Sequence, residues 1–273
     1  MRLRKSSRPE PRFEQAAKWL HDAHAHRERF APMPEDLAPQ SVEDAYAVQA
    51  GYVGLRHEKL GPVIGYKIAV TTPAMRKLTG LTDAIAGDML EKSVLRGPAA
   101  RVHASDFVRL IVEFEIAVQL GDDLPALGAP YTRETVAASV GALMPAFEIA
   151  DDRNADYSAL AAHPLMLIAD NAWNEGAVLG EPVQDWRDID LAALRGAAFA
   201  DGKQFGEGQG SDVMGHPLEA LAWLANNLAS RGLGLWRSDV VITGSLIASR
   251  FAAPGETLRF DAGALGAVEL QVD

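Results

Sequence analysis

Residues 109–120, RLIVEFEIAVQL, decide how this chain folds. In an extended strand successive side chains point to opposite faces, so Val112, Phe114, Ile116 and Val118 share one face while Glu113 and Glu115 share the other. Two like charges one strand repeat apart, in an otherwise apolar and β-branched run, resist desolvation unless something positive sits between them. A hard divalent cation does this best. A solvent-facing strand edge is the alternative reading of the same Glu-x-Glu spacing.

Other segments bear on that choice. Glu148, in MPAFEIADDR (144–153), supplies a third carboxylate from a second strand-like run. Three oxygen ligands, no cysteine and no close histidine pair favour Mg²⁺ or Mn²⁺ over zinc. Lys67 interrupts the apolar run in GYKIAVTTPAM (65–75), and Asp170 and Asn171 close another in LMLIADNAWNEG (165–176). Isolated polar groups at the ends of separate hydrophobic strands suggest one shared pocket.

Around this centre the texture is that of an α+β protein. Strand-like runs fall at 64–70, 107–120, 145–151, 165–169, 177–183, 196–201, 239–244, 257–260 and 266–272. The spacing predicts helices over 12–30, from Ser41 to the stop at Gly61, near 132–143 and over 216–231. Strands that outnumber helices without regular alternation argue against a doubly wound sheet. The expected organisation is a frayed tail (1–11), an N-terminal helical region (12–62) and a β-rich catalytic domain (63–273). His21 and His24, three apart in the first helix with no third ligand, read as a solvated face. The glycine-dense GEGQGSDVMGHP (206–217) lacks the strand-to-helix setting of a dinucleotide site and reads as a mobile loop or a plain surface connection. In VVITGSL (240–246), Gly244 allows close backbone approach and Ser245 offers a hydroxyl, an arrangement that holds a carboxylate or simply turns the chain.

The 273 residues are 48% hydrophobic, enough for a sizeable core, and the formal net charge of −11 argues against binding a phosphate backbone. No segment approaches the roughly 20 apolar residues of a membrane span. Zero cysteines exclude disulfides and thiolate chemistry, and with no apolar stretch after the basic start a reducing, cytoplasmic setting is expected.

Read together and in order, AYAVQ (45–49), GYKIAVTTPAM (65–75), VEFEIAVQLGDDLP (112–125), PAFEIADDR (145–153), IADNAWNEGAVLG (168–180), GHPLEALAWLANNLASRG (215–232) and DVVITGSL (239–246) resemble one group. It is the 2-keto-4-pentenoate hydratase, 2-oxohepta-3-ene-1,7-dioate hydratase and 4-oxalocrotonate decarboxylase group of the fumarylacetoacetate hydrolase superfamily. The resemblance implies mixed β-sheets rolled around a central cavity, helices outside, and a homo-oligomer that can associate with a related pathway enzyme. It places the metal ligands on Glu113, Glu115 and Glu148, the lysine on Lys67, and substrate-binding positions on Asp170, Asn171, Thr243, Gly244 and Ser245. It implies a divalent-metal-dependent hydratase acting on a 2-hydroxy-2,4-dienoate, with a 2-oxo-3-enedioate decarboxylase, an acylpyruvate-type carbon–carbon hydrolase and a catalytically silent structural partner as alternatives. His57 and His103 are too isolated to supply the histidine and acid dyad a hydrolase would show. An acid common in the group falls on Ile85 here, between Asp83 and Asp88, and Trp173 stands where small residues are common, either narrowing the pocket or packing on a neighbouring subunit.

Overall fold

The computed structural model describes residues 10–273. Residues 1–9 of the expected tail lie outside the described residues, and helix α1 (Pro11–Ala25) begins within the tail's last residue, with proline in the first turn where its missing N–H costs nothing. Helix α2 (Val42–Leu60) starts as read: the Ser41 hydroxyl accepts from the Asp44 N–H at 3.0 Å and Gly61 ends the helix.

The chain then runs through β1 (Val63–Ala69), α3 (Pro73–Thr79), β2 (Ile85–Leu90), β3 (Val94–Arg96), β4 (Ala99–Val102) and β5 (Leu110–Leu120). Next come α4 (Arg133–Ala138), β6 (Val140–Asp151), α5 (Pro164–Ala169), β7 (Asn174–Leu179), β8 (Arg195–Ala200) and β9 (Lys203–Gln209). The last elements are α6 (Pro217–Ser230), β10 (Val240–Ser245), β11 (Arg250–Phe251), β12 (Thr257–Asp261) and β13 (Ala267–Val272). They form two mixed sheets: an eight-stranded one ordered β2-β1-β10-β5-β6-β7-β3, with β11 paired to β5, and a five-stranded one ordered β4-β13-β12-β8-β9.

Strands β5 and β6 pair antiparallel along almost their whole length, with Phe114 opposite Phe147 and Glu113 opposite Glu148. Their two faces do different work. On one, Phe114 and Phe147 meet edge to face at 5.5 Å, and Phe260 of the smaller sheet packs on Phe114 at 5.9 Å. All three rings are fully buried, each contributing roughly 1.5–3 kcal/mol relative to exposure. The other face carries the glutamates and, further along, a separate apolar cluster that includes Ala117, Met144, Ala146, Ala177 and Ile242.

That second face is covered because the large sheet rolls. On a flat sheet Lys67 of β1 and Glu148 of β6 would stand three strand spacings apart, about 14 Å. Their side chains meet at 2.9 Å. Strand β2 at one end accordingly contacts β7 near the other, although among the described residues neither sheet's strand order closes on itself. Buried residues of α1 and α2 join the larger apolar core with residues of both sheets.

Three expectations change. The helix read near 132–143 stops at Ala138, and residues 140–143 open strand β6 instead. Residues 165–169 form helix α5 rather than a strand: LMLIA is apolar on every side, a pattern a buried helix and a buried strand share, and Pro164 at the first-turn position favours the helix. The glycine-dense stretch begins not as a mobile loop but as part of β9, paired to β8. There a Cβ on Gly208 would lie 2.0 Å from the Leu246 carbonyl oxygen, so the glycine serves close approach of two backbones.

Candidate metal centre and the lysine beside it

Because Glu113 faces Glu148 across β5 and β6, and Glu115 lies two residues further on the same face, one ligand atom from each comes within 4.8 Å of the others. Glu115 and Glu148 are wholly buried. Each spends one oxygen inside the protein. Glu115 Oε2 accepts the Gly244 N–H at 2.6 Å, and Glu148 Oε1 accepts from Lys67 Nζ at 2.9 Å and Asn174 Nδ2 at 3.0 Å. Glu113 Oε1 accepts the Ser249 hydroxyl at 2.7 Å. Glu115 Oε1 and Glu148 Oε2 have no hydrogen-bond partner.

A buried carboxylate oxygen without a partner is costly, and two of them in one cluster call for a cation. The donor set is hard and all oxygen, so these residues fit a divalent ion of the magnesium, manganese or calcium kind. Without it, burial and then the charges of Glu148 and Glu113 push the Glu115 carboxyl well above the usual range. Burial also raises Glu148, against the pull of Lys67. At Lys67 burial opposes the charge, but Glu148, Glu113 and Glu115 outweigh it and hold the ammonium above the ordinary lysine range.

Lys67 is 3% exposed and also donates to the Ala172 carbonyl at 3.4 Å. That carbonyl lies in a turn where Asn171, Ala172 and Trp173 all have positive φ, between 49° and 61°. Three non-glycine residues in the left-handed region carry strain that the surroundings must hold. They do. Asn171 exchanges hydrogen bonds with the Asp88 backbone of β2, at 2.7 and 2.9 Å, and Asp170 binds Arg153 at 2.7 Å and His24 at 2.6 Å. A Cβ on Gly87, the residue paired with Lys67, would lie 2.7 Å from the Asn171 carbonyl oxygen and 3.0 Å from the lysine Cγ, so glycine here leaves room for both the turn and the lysine side chain.

The structure therefore brings Lys67, Glu113, Glu115, Glu148 and Gly244 together, and sets Asp170 and Asn171 behind the turn that touches Lys67. The Thr243 hydroxyl donates to the Ile116 carbonyl, and the Ser245 hydroxyl accepts from the Phe114 N–H and donates to the Ile247 carbonyl, so neither is free for a substrate here. Ile85, 2% exposed, shares the inner face with Gly87 and Lys67. Asp88 points to the opposite face, and Asp83 holds the Ala84 N–H and the Trp223 indole N–H. Trp173 is buried within the chain, edge to face with Phe30 at 5.5 Å, and its indole N–H has no partner.

His24 corrects the reading of a solvated helix face. Only 14% of its side chain is exposed, and besides Asp170 its other ring nitrogen lies 3.3 Å from Glu175, itself paired with Arg56. The signal was present: His24 follows Ala17 and Leu20 by seven and four residues, on the stripe that α1 buries. His21, 41% exposed, is solvated as read. Asn174 and Ser249, which hold two of the glutamates, went unnoticed in sequence.

Burial opposes the His24 charge, but Asp170 and Glu175 outweigh it and raise the ring to about 9. Folded above its ordinary 6.5, the imidazolium contributes stability that is complete below that value and lost as pH rises through about 9. The expected result is that His24→Ala costs about 3 kcal/mol near neutral pH. Thermal melts of variant and wild type should converge between pH 7 and 10.

Two mixed sheets, with a carboxylate trio, two of its members buried, and a lysine on the rolled inner face, define a class of protein more than one activity. The chain belongs to the fumarylacetoacetate hydrolase family: residues 84–273 match the family described as fumarylacetoacetate (FAA) hydrolase C-terminal. It is 33% identical over 243 residues, 89% of each chain, to 2-hydroxyhexa-2,4-dienoate hydratase of Comamonas testosteroni. It is 32% identical over 238 residues to 2-keto-4-pentenoate hydratase of Paraburkholderia phymatum, covering 86% of this chain and 87% of the relative. A solved structure of 4-oxalocrotonate decarboxylase from Pseudomonas putida G7, complexed with magnesium and adipate, superposes with a TM-score of 0.87 at 25% identity, over 99% of this chain and 100% of that one. Among the described residues no helix is long and apolar enough to cross a membrane.

Proposed function

We propose that this protein is a Mg²⁺- or Mn²⁺-dependent hydro-lyase that adds water to a 2-hydroxy-2,4-dienoate of the 2-oxo-4-pentenoate type, giving a 4-hydroxy-2-oxo acid. The observation that carries this reading is the Lys67 ammonium 2.9 Å from Glu148, inside a trio with two unpartnered carboxylate oxygens. Glu113, Glu115 and Glu148 hold the ion, which when bound supplies a Lewis acid for the carboxylate and 2-oxo oxygens of the substrate. Lys67 moves the proton. In a five-carbon dienol the 2-hydroxyl proton is lost and C5 gains one, which leaves an α,β-unsaturated ketone; water then adds its oxygen at C4 and a proton at C3. A buried ammonium in reach of the substrate can donate to carbon and take the proton back from water.

Asp170 and Asn171 serve by fixing the strained turn that places the Ala172 carbonyl on Lys67. Gly244 orients Glu115 through its N–H, while Thr243 and Ser245 hold the β10 backbone that presents it. A homo-oligomer in the cytoplasm, with or without a related pathway enzyme, belongs to the same reading.

One observation favours a second reading. With Ile85 on the inner face and Asp83 and Asp88 engaged elsewhere, Lys67 works without the additional acid the group implies, and loss of CO₂ from a 2-oxo-3-enedioate needs only the stabilised enolate and one proton. Product analysis with Mg²⁺ decides between them. The expected result is bleaching of dienol absorbance with every carbon retained; stoichiometric CO₂ from the diacid with no hydration of any dienoate would replace the first reading by the second.

A further inference from the structure

The register of β11 on β5 sets Phe251 opposite Ile111, which places its ring on the face that carries Glu113 and Glu115. The ring is 53% exposed, a large apolar group left at the rim of an otherwise charged site. It begins a continuous aromatic row: Tyr157 lies 6.5 Å from Phe251, and Trp173 lies 6.1 Å from Tyr157. Each end of the row is joined through the backbone to a residue that meets the site. Trp173 follows Ala172, whose carbonyl meets Lys67, and Phe251 lies two residues beyond Ser249, whose hydroxyl holds Glu113.

The polar groups of this row are turned away or already used. Tyr157 donates its hydroxyl to Asp152 at 2.8 Å, leaving ring carbons toward Phe251. The cation stacked on Phe251 and Tyr157 is Arg109, at 4.7 and 5.6 Å, and its guanidinium makes paired bonds to the buried Asp152 and a third to the Ala155 carbonyl. The Trp173 indole N–H has no partner, but it is neutral and cannot balance a carboxylate.

We infer that this row is the subsite for the far end of the substrate, and that the substrate is a 2-oxo monocarboxylic acid ending in an uncharged apolar group, with Phe251, Tyr157 and Trp173 as specificity-determining residues. The inference rests on the 2-oxo acid reading of the carboxylate site. Burying a second carboxylate against three rings and an already neutralised arginine has no compensating charge, whereas a methyl or larger alkyl end gains apolar contact.

Titration calorimetry of the full-length Mg²⁺-loaded protein with 2-oxohexanoate and 2-oxoadipate tests it, since the two share one head and chain length and differ at the far end. The expected result is roughly tenfold or more tighter binding of 2-oxohexanoate. Phe251→Ala should erase most of that preference and Phe251→Arg should reverse it; a half-exposed rim position tolerates both. Equal or tighter binding of 2-oxoadipate by the wild type, or an unchanged preference in Phe251→Ala, overturns the subsite while leaving the 2-oxo acid reading in place. Failure of both ligands to bind overturns the two together. Faster CO₂ release from a six-carbon unsaturated diacid than hydration of its methyl-ended counterpart also overturns it, and retained tail preference without any turnover supports the subsite while sinking the hydratase reading.

Discussion

Lys67→Met is expected to lower turnover by about 10²–10⁴-fold, the usual contribution of a positioned proton-transfer group, while the carboxylate trio keeps its affinity for Mg²⁺. The variant also separates two roles the lysine plays. In the metal-free protein Lys67 is the one cation in contact with Glu148 among the described residues, and removing one partner of a buried pair costs about 3–5 kcal/mol. Melting temperature in a chelator should therefore fall, and Mg²⁺ should restore most of it without restoring activity. A Lys67→Met protein with wild-type turnover removes the lysine from the chemistry. One whose activity returns with the metal shows that the ammonium served only to neutralise Glu148.

Glu115→Gln should act with the opposite sign on stability. Glu115 is the deepest of the three carboxylates in electrostatic terms, raised by burial and by two like charges, with one oxygen on Gly244 and the other unpartnered. An amide keeps the contact to the Gly244 N–H and deletes the repulsion, so the metal-free variant melts higher than the wild type. Its affinity for Mg²⁺ falls by more than the roughly 10–100-fold that loss of an outer hydrogen-bond partner costs a metal site. Calorimetric titration with Mg²⁺ and melts with and without chelator measure the two effects. Unchanged Mg²⁺ affinity in this variant would take Glu115 out of the ligand set.

Much of this was legible along the chain because it is local. The period of two in β5 put Glu113 and Glu115 on one face, and the caps at Ser41 and Gly61 bounded α2. Failures came where local chemistry is ambiguous or where the partner is remote. LMLIA at 165–169 has no polar face to reveal its period, and the glycines of β9 signal close approach as readily as mobility. Asn174 and Ser249 meet their glutamates across 26 and 136 residues of sequence, and His24 meets Asp170 across 146. No spacing rule reaches that far. Nor could the commitment of the Thr243 and Ser245 hydroxyls to backbone be foreseen, since it depends on β10 lying beside β5.

That neighbour relation also sets the order of assembly. Strand β10, made after β1, β5 and β6, inserts between β1 and β5, so the lysine and the glutamates reach a common sheet only once it has been synthesised. Such long-range pairing forms late and slowly. A ribosome-bound chain holding all three acids on β5 and β6 thus still lacks the Gly244 N–H that orients Glu115 and the strand that joins Lys67 to their sheet, and the lysine meets the acids only when β10 is in place.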